Sequence, residues 1–363
     1  MTKSASFFLY LVLFIPFLGW SQSTFEASIR QADRIATQVF EDEQFPGMAV
    51  AVAYDGVVIW EKGYGFANIE EQEAVEPDAS LFRVGSVSKT LTSIALAKLV
   101  EEGKLDLDKE VQEYVPYFPK KEYPITTRQV AGHIAGIRHY QGMEFMSNKY
   151  YPDVKSSIDI FKDDPLLFEP GTKYSYSSYG WNLISAVIEG ASGLPFLDYM
   201  QIVVFNPAGM ENTHPEYPDQ YEDQKVQFYI KENGENYVAP EVDNSYKWAG
   251  GGFIGTARDL LRFSEAVADT TIIQADTYQE WTTSQQTKDG KATNYGIGWR
   301  MSEDKKGRNW VGHSGGSMGG TTMFLVYPEE KLTVVTLVNL SGAKMNNLAW
   351  RIAEQFLTVI EAP

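Results

Sequence analysis

Cysteine is absent from all 363 residues, and that absence removes several chemistries at once. Disulfides, thiolate zinc sites, iron–sulfur clusters, a Cys nucleophile and an acylated N-terminal cysteine are all excluded. Histidine is scarce, with four copies at positions 133, 139, 214 and 313. None forms the H-E-x-x-H arrangement of a helical zinc site, so metal sites have few candidates. His133 and His139 flank Ile134–Ile137 in a turn-like stretch and read as hydrogen-bonding residues. Positive charge is short as well: 31 Lys and Arg against 48 Asp and Glu leave a net charge of −17. Nucleic acid and an anionic membrane surface are poor partners for such a chain. Repeats, low-complexity tracts and a Pro/Ser-rich linker are also lacking, so the chain reads as one large domain or two lobes with enough apolar content for a core.

What is present begins with a leader-like segment. Lys3 precedes a stretch from Phe7 to Trp20 that is apolar apart from Pro16 and Gly19. It is shorter than the ~20 residues a membrane span needs, and Pro16 interrupts it. Gly19-Trp20-Ser21 offers small residues where a signal peptidase reads. Residues 1–21 are therefore expected to be a signal peptide, and the mature chain to be secreted or periplasmic.

Apolar periodicity predicts a helix over Thr24–Phe40, then two strands, Gly47–Tyr54 and Val57–Tyr64, joined by the hairpin signal Asp55-Gly56. A further helix follows Ser86 and ends at Gly103. Between Leu105 and Asn244, prolines and aromatics punctuate short helical patches, among them Tyr179–Gly190 and Pro195–Phe205. Strand texture returns at Tyr295–Met301, Trp310–Ser314, Thr321–Tyr327 and Leu332–Asn339, and an amphipathic helix runs from Met345 to Val359. The expected fold class is α+β: an antiparallel sheet built from both chain ends and flanked by helices, with an inserted helical lobe. The expected boundaries are 22–90 plus 250–363 for the sheet-bearing lobe and 91–249 for the insertion.

Two glycine motifs invite misreading. Gly250–Gly255 fits G-x-G-x-x-G, but the residues before it, Asn244–Trp248, are no hydrophobic strand, so a close backbone crossing explains it better than a dinucleotide. Gly315-x-Ser317-x-Gly319 fits a nucleophile elbow. That elbow needs a following helix and a downstream histidine, and His313 is the last histidine in the chain.

A third motif survives scrutiny. Ser86-Val87-Ser88-Lys89 opens a mostly apolar run, Leu91–Val100. On a helix, Ser86 and Lys89 share one face of the first turn. A hydroxyl is a poor nucleophile until a neighbour takes its proton, so an amine at this spacing has a chemical use. Alone, the spacing is equally that of an ordinary helix cap. Two patches change the balance: Tyr174–Gly180, rich in Tyr and Ser, and Trp310–Gly316, a strand ending in glycines.

In this order and at these separations, Phe82-x-x-x-Ser86-x-x-Lys89, Tyr176-Ser177-Ser178 and His313-Ser314-Gly315 resemble the three motifs of the serine β-lactamase and penicillin-binding-protein family. The resemblance is to the branch holding class C β-lactamases, D,D-peptidases and esterases. It continues through Thr126–Arg128, Asn206–Met210, Gly251–Phe253 and Tyr295–Trp299. Gly136–Tyr140 and Val242–Gly250 look like segments of a mitochondrial branch. The resemblance implies a serine hydrolase working through an acyl-enzyme, with no metal or organic cofactor. Ser86 would be the nucleophile, Lys89 the base, Tyr176 a proton relay, and His313 a partner of Tyr176 or of an acidic substrate end. Ser86 and Gly316 would supply oxyanion N–H groups, with Gly315 and Ser178 lining the substrate site. Two departures matter. Ser178 stands where the family usually has Asn, and His313 where lactamases usually have Lys. Both favour a peptidase or esterase over the alternative of a genuine β-lactamase. A non-catalytic binding or assembly protein with a retained pocket is the alternative of another class. The partners expected are small molecules or peptides.

Overall fold

The computed structural model describes residues 18–361, with side chains from Thr24 onward. The leader read over residues 1–21 lies outside the described side chains. The helices are α1 (Leu18–Asp42), α2 (Val87–Glu101), α3 (Thr127–Ala131), α4 (Val154–Ile158), α5 (Ser178–Ser192), α6 (Phe196–Met200), α7 (Trp248–Gly251), α8 (Ala257–Ala268), α9 (Ala275–Trp281) and α10 (Leu348–Ile360). The strands are β1 (Gly47–Tyr54), β2 (Val57–Asn68), β3 (Glu73–Ala74), β4 (Phe82–Arg83), β5 (Thr213–Pro215), β6 (Tyr229–Glu232), β7 (Glu235–Val238), β8 (Phe253–Gly255), β9 (Arg300–Glu303), β10 (Asn309–Ser317), β11 (Gly320–Tyr327) and β12 (Leu332–Val338).

The main sheet has the order β3-β2-β1-β12-β11-β10-β9, so strands from the two ends of the chain meet where β1 pairs antiparallel with β12. This is the mixed, antiparallel arrangement expected from the two strand-rich termini. Period-2 alternation divides β1 between two cores. Met48, Val50 and Val52 pack with α1 and α10, whereas Ala49, Ala51 and Ala53 face the core that contains α2 and α8. Both faces are covered, which is why these strands read as nearly continuous apolar runs. Small alanines on one face leave room for the helices beneath them. The Asp55-Gly56 hairpin has positive φ at both residues, 48° and 76°, as a tight two-residue turn requires.

Among the boundaries that differ from expectation, two have a clear backbone cause. The strand predicted over Tyr295–Met301 starts only at Arg300 and runs on to Glu303 as β9, because Gly296 and Gly298 fold the preceding stretch into a corner. Gly298 has φ +81°, and a Cβ there would lie 2.8 Å from the Lys89 carbonyl oxygen. The last helix starts at Leu348 rather than Met345, since Asn346 and Asn347 both hold left-handed backbone, φ 47° and 56°. Among the described residues, no helix is long and apolar enough to cross a membrane.

A smaller sheet, β4-β8-β5, sits beside the main one and delivers the chain into α2. Helix α2 is buried on nearly all sides, as a helix without a polar face must be.

Candidate active site

Ser86 stands at the start of α2, at the junction of the two sheets. Gly85 makes the turn with φ +53°, and a Cβ on it would come within 2.7 Å of the Gly316 backbone nitrogen. The β4–α2 junction and the end of β10 are therefore in backbone contact, which only glycine permits. Ser86 makes no side-chain cap to α2. Its hydroxyl oxygen instead lies 3.1 Å from Lys89 Nζ. The ordinary-cap explanation of this serine fails on that observation.

Lys89 is completely buried. Its amine has three oxygen neighbours: Ser86 Oγ, Ser178 Oγ at 3.2 Å and the Gly250 carbonyl. Among the described residues no carboxylate pairs with it. Burial, and then the positive charges of Lys247 and Arg300, hold its pKa well below the usual lysine range. A neutral amine has two N–H donors and one lone pair. The Gly250 carbonyl can only accept, so it takes one of the protons. The lone pair is then free to receive the proton of the Ser86 hydroxyl, which makes the oxygen a nucleophile.

Tyr176 and Ser178 flank the start of α5. The first N–H groups of a helix lack intrahelical acceptors, and here histidines supply them. His133 Nδ1 accepts from Ser177 N and His139 Nδ1 from Ser178 N, each at 3.1 Å. Ser177 caps the helix by accepting from Gly180 N at 3.0 Å. The hydrogen-bonding roles expected of both histidines are met. The Tyr176 ring packs against His133, centroids 4.2 Å apart and planes tilted by 42°, and lies 5.0 Å from Lys89 Nζ. Burial raises its phenol to about 12, opposed by hydrogen bonding to Ser86 and by the charge of Arg300. The phenol is thus protonated at neutral pH, with its ring beside the Lys89 amine.

On β10, His313 is buried and its pKa is driven far down, first by burial and then by the charges of Lys89 and Arg300. Its Nδ1 lies 2.7 Å from the Ser314 carbonyl, which can only accept, so the proton sits on Nδ1. Nε2 must then accept, and its donor is the Tyr295 hydroxyl at 2.9 Å. This corrects one expectation: the imidazole bonds Tyr295, while its ring centre is 6.1 Å from that of Tyr176. A neutral histidine already holding a tyrosine is also a weak anchor for a substrate anion. Gly315 is required where it stands, because a Cβ would lie 2.1 Å from the Val84 carbonyl oxygen. Gly316 is open on its Cβ side and exposed.

The structure thus gathers Ser86, Lys89, Tyr176, Ser178, His313, Gly315 and Gly316 into one cluster. Sequence reasoning missed three members. The Gly250 carbonyl belongs to the glycine run, which lies against the Ser178 and Asn244 carbonyls as a close crossing would. Tyr295 sat in a segment noted only for its resemblance. Arg300, the residue that follows that segment, places its guanidinium 5.4 Å from the Tyr176 ring and 5.8 Å from the Tyr295 ring. Its buried Nε has no acceptor among the described residues. The two decoys resolve as expected. Ser317 ends β10 and Gly319 turns the chain with φ +66°, so no helix follows that serine. Among the described residues, no group of three or more His, Cys, Asp or Glu could hold a metal ion.

Comparison with protein families matches residues 32–357 to the family described as Beta-lactamase. The chain belongs to that family. Membership makes it a serine hydrolase of the β-lactamase-like type. Among curated relatives of this β-lactamase family chain, the serine beta-lactamase-like protein LACTB, mitochondrial, of Homo sapiens is 30% identical, over 92% of this chain and 80% of its own. A D-aminopeptidase of Gluconobacter oxydans is 28% identical over 81% of this chain and 56% of its own. Among solved structures, the octameric penicillin-binding protein homologue from Pyrococcus abyssi superposes with a TM-score of 0.79. That likeness, at 24% identity over 91% of this chain and 77% of the other, shows a shared fold.

Proposed function

We propose that this protein is an exported acyl-transfer hydrolase acting on peptides or esters that carry a carboxylate. Its site lies in the seam between the sheet-bearing lobe, 22–90 with 250–363, and the inserted lobe, 91–249. The observation that carries the proposal is the Lys89 amine 3.1 Å from Ser86 Oγ, buried and without a carboxylate partner. Ser86 Oγ attacks the substrate carbonyl while Lys89 takes its proton. Ser86 and Gly316 N–H groups stabilise the oxyanion, and loss of one such donor typically costs ~100-fold or more in turnover. Tyr176 passes the proton to the leaving group, and water then hydrolyses the acyl-enzyme. His313 orients Tyr295 rather than touching substrate.

Arg300 supports the carboxylate preference. A guanidinium with an unused Nε beside the reacting groups is a receptor for a planar anion. The D-aminopeptidase relative, by its name, favours peptides among the candidate substrates. The leader-like residues 1–21 support export.

A substrate panel tests this. Hydrolysis of p-nitrophenyl acetate, of short D- and L-amino-acid peptides with free or amidated C-termini, and of nitrocefin is measured for the parent and for Ser86→Ala. The expected result is turnover of ester and peptide that vanishes in Ser86→Ala, faster for peptides with a free carboxylate than for their amides, with nitrocefin the poorest substrate. Turnover of nitrocefin above all others would restore the β-lactamase alternative. Absence of turnover and of covalent labelling would favour a binding protein.

A further inference from the structure

We propose that Arg83 is a positioning residue that holds the oxyanion pocket at its working width. The inference rests on the acyl-enzyme reading above. Arg83 ends β4 and precedes Ser86 by three residues, and it is buried. Its Nε donates to both carboxylate oxygens of Glu216 at 2.9 Å, and Nη2 donates to Oε1 at 2.6 Å. The remaining arm, Nη1, donates to the Met318 carbonyl at 2.6 Å. One face of the guanidinium covers the Phe228 ring at 3.8 Å.

Each partner belongs to a different part of the site. Met318 is in the turn between β10 and β11, two residues beyond Gly316. Glu216 follows β5 and also accepts from Asn244 Nδ2 at 2.5 Å. Asn244 precedes the turn leading into α7, whose Gly250 carbonyl holds the Lys89 amine. One planar fork therefore ties together the segments carrying Ser86, Gly316 and the acceptor of Lys89. The packing around it is tight. A Cβ on Gly320 would stand 3.0 Å from Arg83 Cβ, and one on Gly85 would stand 2.7 Å from Gly316 N.

An ion pair this buried is a weak source of stability, because desolvation offsets its attraction and apolar replacements are often neutral. Its forked geometry does fix direction, which a lysine ammonium cannot reproduce. A fork that contributes geometry more than stability is expected where spacing decides a rate. Loosening the Met318 arm lets the β10–β11 turn drift, and the Gly316 N–H moves off the oxyanion position.

The test uses the full chain with two variants, Arg83→Met/Glu216→Met and Arg83→Lys. Thermal melting, the fluorophosphonate acylation rate, and KM and kcat for p-nitrophenyl acetate are measured for each. The double variant is expected to melt within about 5 °C of the parent and to acylate at least ~10-fold more slowly, with KM within about twofold. Arg83→Lys is expected to fall between the two. A folded double variant that acylates at the parental rate overturns the proposal. So does failure of both variants to fold, because the fork would then be structural. A parent that takes no label instead sinks the acyl-enzyme reading, and this is seen before any variant is compared.

Discussion

His313 Nε2 and the Tyr295 hydroxyl lie 2.9 Å apart, and the proton between them belongs to the tyrosine. The assignment follows from the other side of the ring, where the Ser314 carbonyl claims the Nδ1 proton. A position that suits a permanent cation in related lactamases is thus a neutral acceptor here, buried beside Lys89 and Arg300. Tyr295→Phe removes the donor and leaves Nε2 unpaired. The expected outcome is a stability loss of about 1–3 kcal/mol and a lower kcat with little change in KM, checked by urea melts and ester kinetics.

His313→Lys should not create a good β-lactamase. It would place a new ammonium beside the Arg300 guanidinium in a buried setting, and burying an unpaired charge is costly. The variant is expected to be less stable than the parent and to show no gain in nitrocefin turnover.

Lys89→Met separates stability from chemistry. The buried amine has a depressed pKa, first because of desolvation and then because of Lys247 and Arg300. A thioether of similar length removes that burial cost, so the variant should be at least as stable as the parent. Acylation should nevertheless fall by about a factor of 10² or more, the usual scale for a positioned base. In the parent, the acylation rate should rise with pH as Lys89 deprotonates and level off well below the ordinary lysine range. A rate still climbing at pH 10.5 would place the base elsewhere.

Lys247 gives a separate pH signature in stability. Burial pulls its pKa from 10.5 to about 7, with Arg83 lowering it further and Glu216 opposing. The unfolded chain therefore keeps this proton up to about pH 10.5, whereas the folded chain releases it near 7. Between those values the unfolded state binds more protons, so stability rises with pH, by up to about 1.4 kcal/mol per unit. Lys247→Met erases this contribution. Its stability relative to the parent should be highest near pH 7 and should shrink toward pH 10, as read from urea midpoints.

Much of this site was legible in the sequence because its chemistry is local. Ser86 and Lys89 share a helical turn, and Tyr176 to Ser178 share one helix start, so spacing alone carries their geometry. The strands were legible because both faces of β1, β11 and β12 are buried and their apolar runs are unbroken. The convergence of three remote segments was legible only through family resemblance, since no periodicity reports a contact such as Gly85 against Gly316. What was missed lies in the same category. The Gly250 carbonyl is a backbone atom with no residue type to announce it. Tyr295 and Arg300 act through a corner whose glycines fall inside an otherwise strand-like run. The Met345 helix start failed because two left-handed asparagines override an apolar pattern that continues through them.

The most direct measurement is the site of covalent labelling. The full chain is treated with a fluorophosphonate, and the intact mass and digested fragments are compared for the parent, Ser86→Ala and Lys89→Met. The account predicts one adduct per chain, on the fragment containing Ser86, absent in Ser86→Ala and formed far more slowly in Lys89→Met. An adduct on another residue, or parental labelling of Lys89→Met, would contradict it.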